Sequence, residues 1–233
     1  MKKIILIAAI AVCSISSYAQ LSYGGQIGGN LGMGHFTNDD PYLSSLAIAN
    51  DPKVGFMIGV VGQVEFGKLA FRPELNFVQK GSKNGGSSLY YTSVNKLTLN
   101  YIEVPLNVTY NLEVGKVGKV FFGLGPAIGI GLGGKNKYSE SDGYDYYSAK
   151  ADVKFDGKKD SELSSDDVDT HLKRVDVGAN IIGGLQLPMG LFAKVGFQLG
   201  LIDLNPNDNS KYKNRGVSLC VGYMFGGGDK KKK

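Results

Sequence analysis

From Leu21 onward, bulky apolar residues alternate with small or polar ones over about eight separate stretches. The first apolar sets are Leu21, Tyr23, Ile27, Leu31 and Met33; Val54, Phe56, Ile58, Val60, Val64 and Phe66; and Leu69, Phe71, Leu75 and Phe77. The next are Ile102, Val104, Leu106, Val108, Tyr110 and Leu112, then Val120, Phe122, Leu124, Ile128, Ile130 and Leu132. Val175, Val177, Ile181, Leu185 and Leu187, then Leu191, Val195, Phe197, Leu199 and Leu201, then Val217, Leu219, Val221, Tyr223 and Phe225 complete the series. A period of two is the spacing of a strand whose faces meet different surroundings. No stretch carries a competing helical period, so the pattern predicts an all-β chain.

The opposite face of these strands decides which side is the inside. It carries Gln26, Asn30, Gln63, Glu65, Arg72, Glu74, Asn76, Glu103, Asn107, Asp176, Asn180, Lys194 and Gln198, interspersed with glycines such as Gly59, Gly125 and Gly131. Turned inward, the apolar face would bring about forty large side chains into a closed barrel, where the centre of a well-described eight-stranded one holds about twelve. A sandwich could bury them, but its solvent face would be studded with strand-weakening glycines. Turned outward, the apolar face meets lipid, where one Arg or Lys at mid-depth costs about 2 to 4 kcal/mol. The glycines then leave room in a narrow interior for a few long polar residues.

Connection lengths agree. Gly67-Lys68, Glu113 to Gly118 and Pro188-Met189-Gly190 read as tight turns, whereas His35 to Lys53, Lys80 to Lys96, Gly134 to Lys173 and Asp203 to Asn214 read as long polar loops. Short turns at one end and long loops at the other predict an eight-stranded antiparallel up-and-down transmembrane β-barrel. In it Tyr23, Phe66, Phe71, Tyr110, Phe122, Tyr223 and Phe225 fall near the short-turn end as a periplasmic aromatic girdle. Arg72, Glu74, Glu103, Asp176 and Lys194 become an interior charge network, since buried charges left alone are costly. Pro73 and Pro105 fall inside strands, where a missing donor suggests a local bulge.

The 233 residues suffice for one such barrel. Met1-Lys2-Lys3, the apolar run Ile4 to Val12 and the small residues up to Ala19 have the parts of a secretory signal peptide. The expected organisation is a signal peptide at 1–19, a barrel at 20–225 and a basic periplasmic tail at 226–233. Cys13 leaves with the signal, so the remaining Cys220 has no partner for an intrachain disulfide. Of the net charge of +5, two units belong to Lys2 and Lys3, and Lys230 to Lys233 supply much of the rest. That is not the basic face interleaved with aromatics that nucleic acid requires.

Two motifs suggest chemistry. Gly129 to Asn136 matches the first seven places of a phosphate loop, but Asn136 stands where the magnesium-binding hydroxyl belongs and no amphipathic helix follows. Ser164 to His171 sets Asp166, Asp167 and Asp169 beside one of two histidines, a composition suited to a hard cation or to water activation at a barrel rim. His35 lies in another loop and is the one histidine that could join it. A solvated exterior loop accounts for the same residues, and no metal or cofactor is expected. Tyr138, Tyr144, Tyr146 and Tyr147, set among Ser, Asp and Gly, have an adhesive composition.

Phe71-Arg72-Pro73-Glu74-Leu75, Leu99 to Leu106, Phe122-Gly123-Leu124-Gly125-Pro126 and Leu219 to Phe225 together resemble the porin-family or PorT-like outer-membrane proteins. That resemblance implies an eight-stranded barrel of the OmpA/OmpX type over nearly the whole mature chain. Ser218, Tyr223 and Phe225 in the last strand resemble the signal read by the barrel-assembly machinery, which is thus an expected partner during biogenesis. The resulting expectation is a non-enzymatic outer-membrane protein, in contact with lipid, whose loops meet an extracellular partner. A narrow passive pore, a rim hydrolase and a soluble exported sandwich are the alternative readings.

Overall fold

The computed structural model describes residues 20–38, 49–87, 91–208 and 210–226. The expected signal peptide and the lysine run of the tail lie outside the described residues. In chain order the strands are β1 (Gln20–Gly32), β2 (His35–Asn38), β3 (Ala49–Asp51), β4 (Lys53–Phe66), β5 (Leu69–Ser87), β6 (Thr92–Val114) and β7 (Gly118–Ser141). They continue as β8 (Tyr146–Lys154), β9 (Thr170–His171), β10 (Val175–Gln186), β11 (Leu191–Gly200), β12 (Ser210–Lys213) and β13 (Arg215–Phe225). Eight of them form a ring in the order β1, β4, β5, β6, β7, β10, β11, β13, each antiparallel to the next. The ring closes through β13 on β1, from Tyr23 opposite Phe225 to Gly32 opposite Gly216. This is the eight-stranded antiparallel barrel that the alternation predicts.

Three tight turns join strands at one end, and each contains a glycine in the left-handed region: Gly67 at φ 65°, Gly115 at 52° and Gly190 at 95°. Residues with a Cβ adopt that region at a cost, so glycine lets neighbouring strands reverse over few residues. The apolar sets point outward. Leu21, Val54 and Leu124 remain 65%, 72% and 69% exposed, while Gln63, Arg72, Glu74 and Asn107 are buried. A surface this continuously apolar is untenable in water and fits acyl chains.

Beyond that belt the strands keep going. β6 and β7 have 23 and 24 residues, roughly twice the 9 to 11 that span a bilayer. β5 and β6 stay paired as far as Ser87 opposite Thr92, β6 and β7 as far as Thr92 opposite Ser141, and β8 then adds to β7. The expectation of loops at 80–96 and 134–173 is therefore corrected: much of both segments is ladder. Past the lipid neither face has to be apolar, so the hydrophobic alternation fades while backbone pairing persists. A separate two-stranded sheet of β2 and β12 lies at the same end.

The expected bulges at the prolines are also corrected. Pro73 pairs with Leu106 and Pro105 with Ala127 in register with their neighbours, and the shift between β6 and β7 falls at Asn100/Tyr101. Each proline removes one donor from a long ladder whose flanking pairs fix the register.

Candidate functional site

The interior is built in layers from the short-turn end. Inward positions on β5 recur every second residue, so Ala70, Arg72, Glu74, Asn76, Val78 and Lys80 all enter the barrel. At the base, Lys119 Nζ lies 2.9 Å from Glu65 Oε2, and Gln63 Nε2 donates to Glu65 Oε1 at 2.7 Å. Above them the Arg72 guanidinium is sandwiched between the rings of Phe121 and Phe192, 4.7 and 4.6 Å from their centroids. Its Nη1 donates to Gln63 Oε1 at 2.9 Å, and its Nε stands 3.7 Å from Glu74 Oε1. Glu74 also accepts Lys194 Nζ at 2.5 and 2.6 Å and Gln26 Nε2 at 2.7 Å.

One layer further out, Lys80 bonds Glu103 and reaches Asp176 Oδ2 at 3.3 Å. Gln198 Nε2 donates to Glu103 at 2.9 Å and Asn214 Nδ2 to Asp176 at 2.9 Å, while the Lys80 ammonium lies 5.2 Å from the centre of the Tyr101 ring. Joined by Lys80, the five residues of the predicted network, Arg72, Glu74, Glu103, Asp176 and Lys194, form two trios. Arg72, Lys194 and Glu74 carry one surplus positive charge; Lys80, Glu103 and Asp176 carry one surplus negative charge. Stacked, they cancel, which is the condition for holding six charges in a low-dielectric interior.

Lys80 was missed because its segment reads as a loop. Extending the inward alternation of β5 one step past Val78 would have found it. Phe121 and Phe192 were missed for a related reason: each is a lone aromatic among the small or polar residues on the inner face of its strand.

The outer mouth is filled by an apolar cluster that includes Leu99, Tyr101, Phe155, Leu172, Leu204 and Tyr212. Phe155 packs edge-on against Tyr101, with 5.3 Å between ring centres, and lies where a side chain at Gly131 would otherwise be. The glycines of the phosphate-loop look-alike thus sit inside β7, and Gly131 makes room for a ring. Between cap and Arg72 layer, a cavity of about 30 Å³ touches Glu74, Glu103, Asn180, Lys194 and Gln198. That is room for a water or two rather than a continuous aqueous path.

At the rim, His171 is buried with its Nδ1 2.8 Å from Asp156 Oδ1 and its Nε2 3.4 Å from Asp167 Oδ2. The His171 hydrogen bond holds the Asp156 carboxyl below its usual range, and the Asp169 backbone N–H does the same for Asp167. His35 does not join them: it lies on β2 opposite Lys213 and approaches Thr37 at 3.4 Å. Among the described residues no group of three or more His, Cys, Asp or Glu side chains forms a metal cage. Tyr23, Phe66, Phe71, Tyr110, Phe122, Tyr223 and Phe225, expected to form a girdle, all face outward toward the short-turn end. Tyr223 and Phe225 meet with ring centres 4.7 Å apart, and Tyr23 and Phe225 at 5.8 Å.

Comparison with curated protein sequences finds no match. Among solved structures, Neisserial surface protein A aligns with 13% identity and a TM-score of 0.41, over 88% of this chain and 96% of its own. Ail, the attachment invasion locus protein of Yersinia pestis, aligns with 15% identity and a TM-score of 0.39, over 88% of this chain and 98% of its own. The family described as outer membrane protein beta-barrel domain matches residues 16–205, from ahead of β1 to beyond β11. That span takes in seven of the eight ring strands, and by it the chain belongs to the outer membrane protein beta-barrel domain family.

Proposed function

We propose that this outer-membrane protein is a non-enzymatic anchor that presents a built surface outside the cell, exported by a signal peptide ending at Ala19 and assembled from the periplasmic side. The observation that carries the reading is the closed interior: two charge trios, the Arg72 ring sandwich and the Leu99–Phe155–Leu172 cap stand in series along the axis. A barrel shut in this way has no evident use as a conduit, whereas its strands continue well past the lipid belt. Tyr144, Tyr146 and Tyr147 stand at the far tip of β7 and β8, with Tyr144 99% exposed. Aromatic groups set among Ser, Gly and Asp offer contact area at low entropic cost. The non-enzymatic reading is supported at the rim, where both ring nitrogens of His171 face carboxylates rather than a hydroxyl or thiol nucleophile.

The test is conductance. The refolded protein in planar bilayers is expected to give no discrete current steps over hours of recording. Regular unitary steps would overturn the anchor in favour of a pore.

A further inference from the structure

At the outer end a cleft of about 300 Å³ lies between the extended hairpin of β5 and β6, the outer part of β7 and the segments entering β9 and β12. Among the described residues, five carboxamides line it: Asn84, Asn95, Asn136, Asn205 and Asn207. Several are fixed by the scaffold. Asn136 Nδ2 donates to Thr170 Oγ1 at 3.3 Å, Asn205 Nδ2 donates to Ser210 Oγ at 2.6 Å, and Asn205 Oδ1 accepts the Asn207 N–H at 3.0 Å. Asn207 Oδ1 in turn accepts the Asp160 N–H at 3.0 Å. Against this ordered frame, Asn84 Oδ1 and Asn136 Oδ1 are buried without a hydrogen-bond partner among the described residues, as is the Tyr212 hydroxyl on the same lining. Native proteins rarely leave buried acceptors so, and two in one cleft wall point to donors supplied from outside the chain.

The charge of the lining narrows the class of ligand. Asp160 and Asp169 contribute carboxylates, and among the described residues no lysine or arginine lines the cleft. Phosphate, sulfate and uronate groups would be set against these two carboxylates, and the His171 ring already faces Asp156 and Asp167. Phe36 and Tyr212 add aromatic surface at the same cleft. Amide oxygens for O–H donors, amide N–H groups for hydroxyl acceptors and aromatic surface for C–H faces are together the complement of a sugar ring. The volume is at the small end of ligand sites, enough for one or two rings.

We infer that this cleft binds a neutral saccharide at the cell surface, through the amides of Asn84, Asn136 and Asn207. The inference rests on the surface-anchor reading and gives that surface a ligand class. Saturation-transfer NMR tests it on the full chain refolded in a zwitterionic detergent free of sugar headgroups. Neutral hexoses, N-acetylhexosamines and their disaccharides are set against sulfated and uronic counterparts. Transfer to neutral sugars is expected, weakened at least about fivefold for the anionic ones and again in the Asn84→Ala/Asn136→Ala double variant. The heat-dependent gel shift shows that each variant has folded; should the double variant fail it, Asn207→Ala takes its place with the same expected loss. No transfer to neutral sugars, equal transfer in the variant, or a preference for anionic sugars would each overturn the saccharide site. Those failures leave the silent bilayers of the anchor reading intact, whereas current steps would sink that reading whatever the sugars do.

Discussion

Lys80 supplies the positive charge that balances the two trios. Arg72 and Lys194 against Glu74, Glu103 and Asp176 would leave one acid unmatched, and Lys80 lies between Glu103 and Asp176 where that acid surplus falls. The other five charges are legible in the sequence because they sit in strands whose outward neighbours are large and apolar. Lys80 sits where those neighbours give way to Gly81, Ser82 and Lys83, and its role depends on a ladder that side-chain polarity does not reveal. Removing one partner from a buried charge group typically costs about 3 to 5 kcal/mol, since the remaining charges stay buried. Lys80→Met is expected to lose stability of that order, because Glu103 and Asp176 are then left together with no cation. Arg72→Leu removes the surplus cation of its trio and leaves Glu74 paired with Lys194, so its loss should be smaller. The temperature at which the compact gel form converts to the unfolded one measures both; a larger fall for Arg72→Leu would reject the two-trio scheme.

At the scale of elements, the spanning parts of the strands were readable and their outer extensions were not. Lipid imposes a strict outward apolar code, and beyond it the ladder of β5, β6, β7 and β8 is held by backbone pairing that many polar sequences satisfy. The cap depends on one such extension. Phe155 occupies the place of a Gly131 side chain, where a Cβ would come within 2.4 Å of the ring. Gly131→Val is therefore expected to expel Phe155 and raise cleavage by chymotrypsin after that residue about tenfold or more, with the barrel's gel shift preserved. The segment from β8 to β9 is also latched by His171 on Asp156. A carboxyl whose pKa is lowered in the folded loop favours that loop above its unfolded value, ~3.9. The support is lost as pH falls through the still lower folded value. Exchange protection of the Leu172 amide, which bonds the Lys154 carbonyl at 2.9 Å, should drop from about pH 5 to about pH 3, and less so in Asp156→Asn. A drop of the same size in that variant would assign the response to other carboxylates.

For the molecule as a whole, the closures lie in series along one axis, and that arrangement dictates what opening either of them can do. The mouth is shut by Phe155 and Leu172 against Leu99 and Tyr101, and the waist by Arg72 between Phe121 and Phe192. Current through two resistances in series is limited by the larger, so clearing the mouth alone leaves the waist to block it. Phe155→Ser/Leu172→Ser is expected to expose the outer layer to solvent without producing current steps. Adding Phe121→Ala and Phe192→Ala removes the rings that hold Arg72 on the axis, and only this combination should pass ions. The waist is the costlier closure to lose, because truncating a buried Phe typically removes about 3 to 5 kcal/mol. The four-residue variant therefore needs its gel shift checked before recording. Steps from the mouth variant alone would mean that the Arg72 layer does not seal the barrel, and the anchor would then be a gated channel whose gate is the β8–β9 segment.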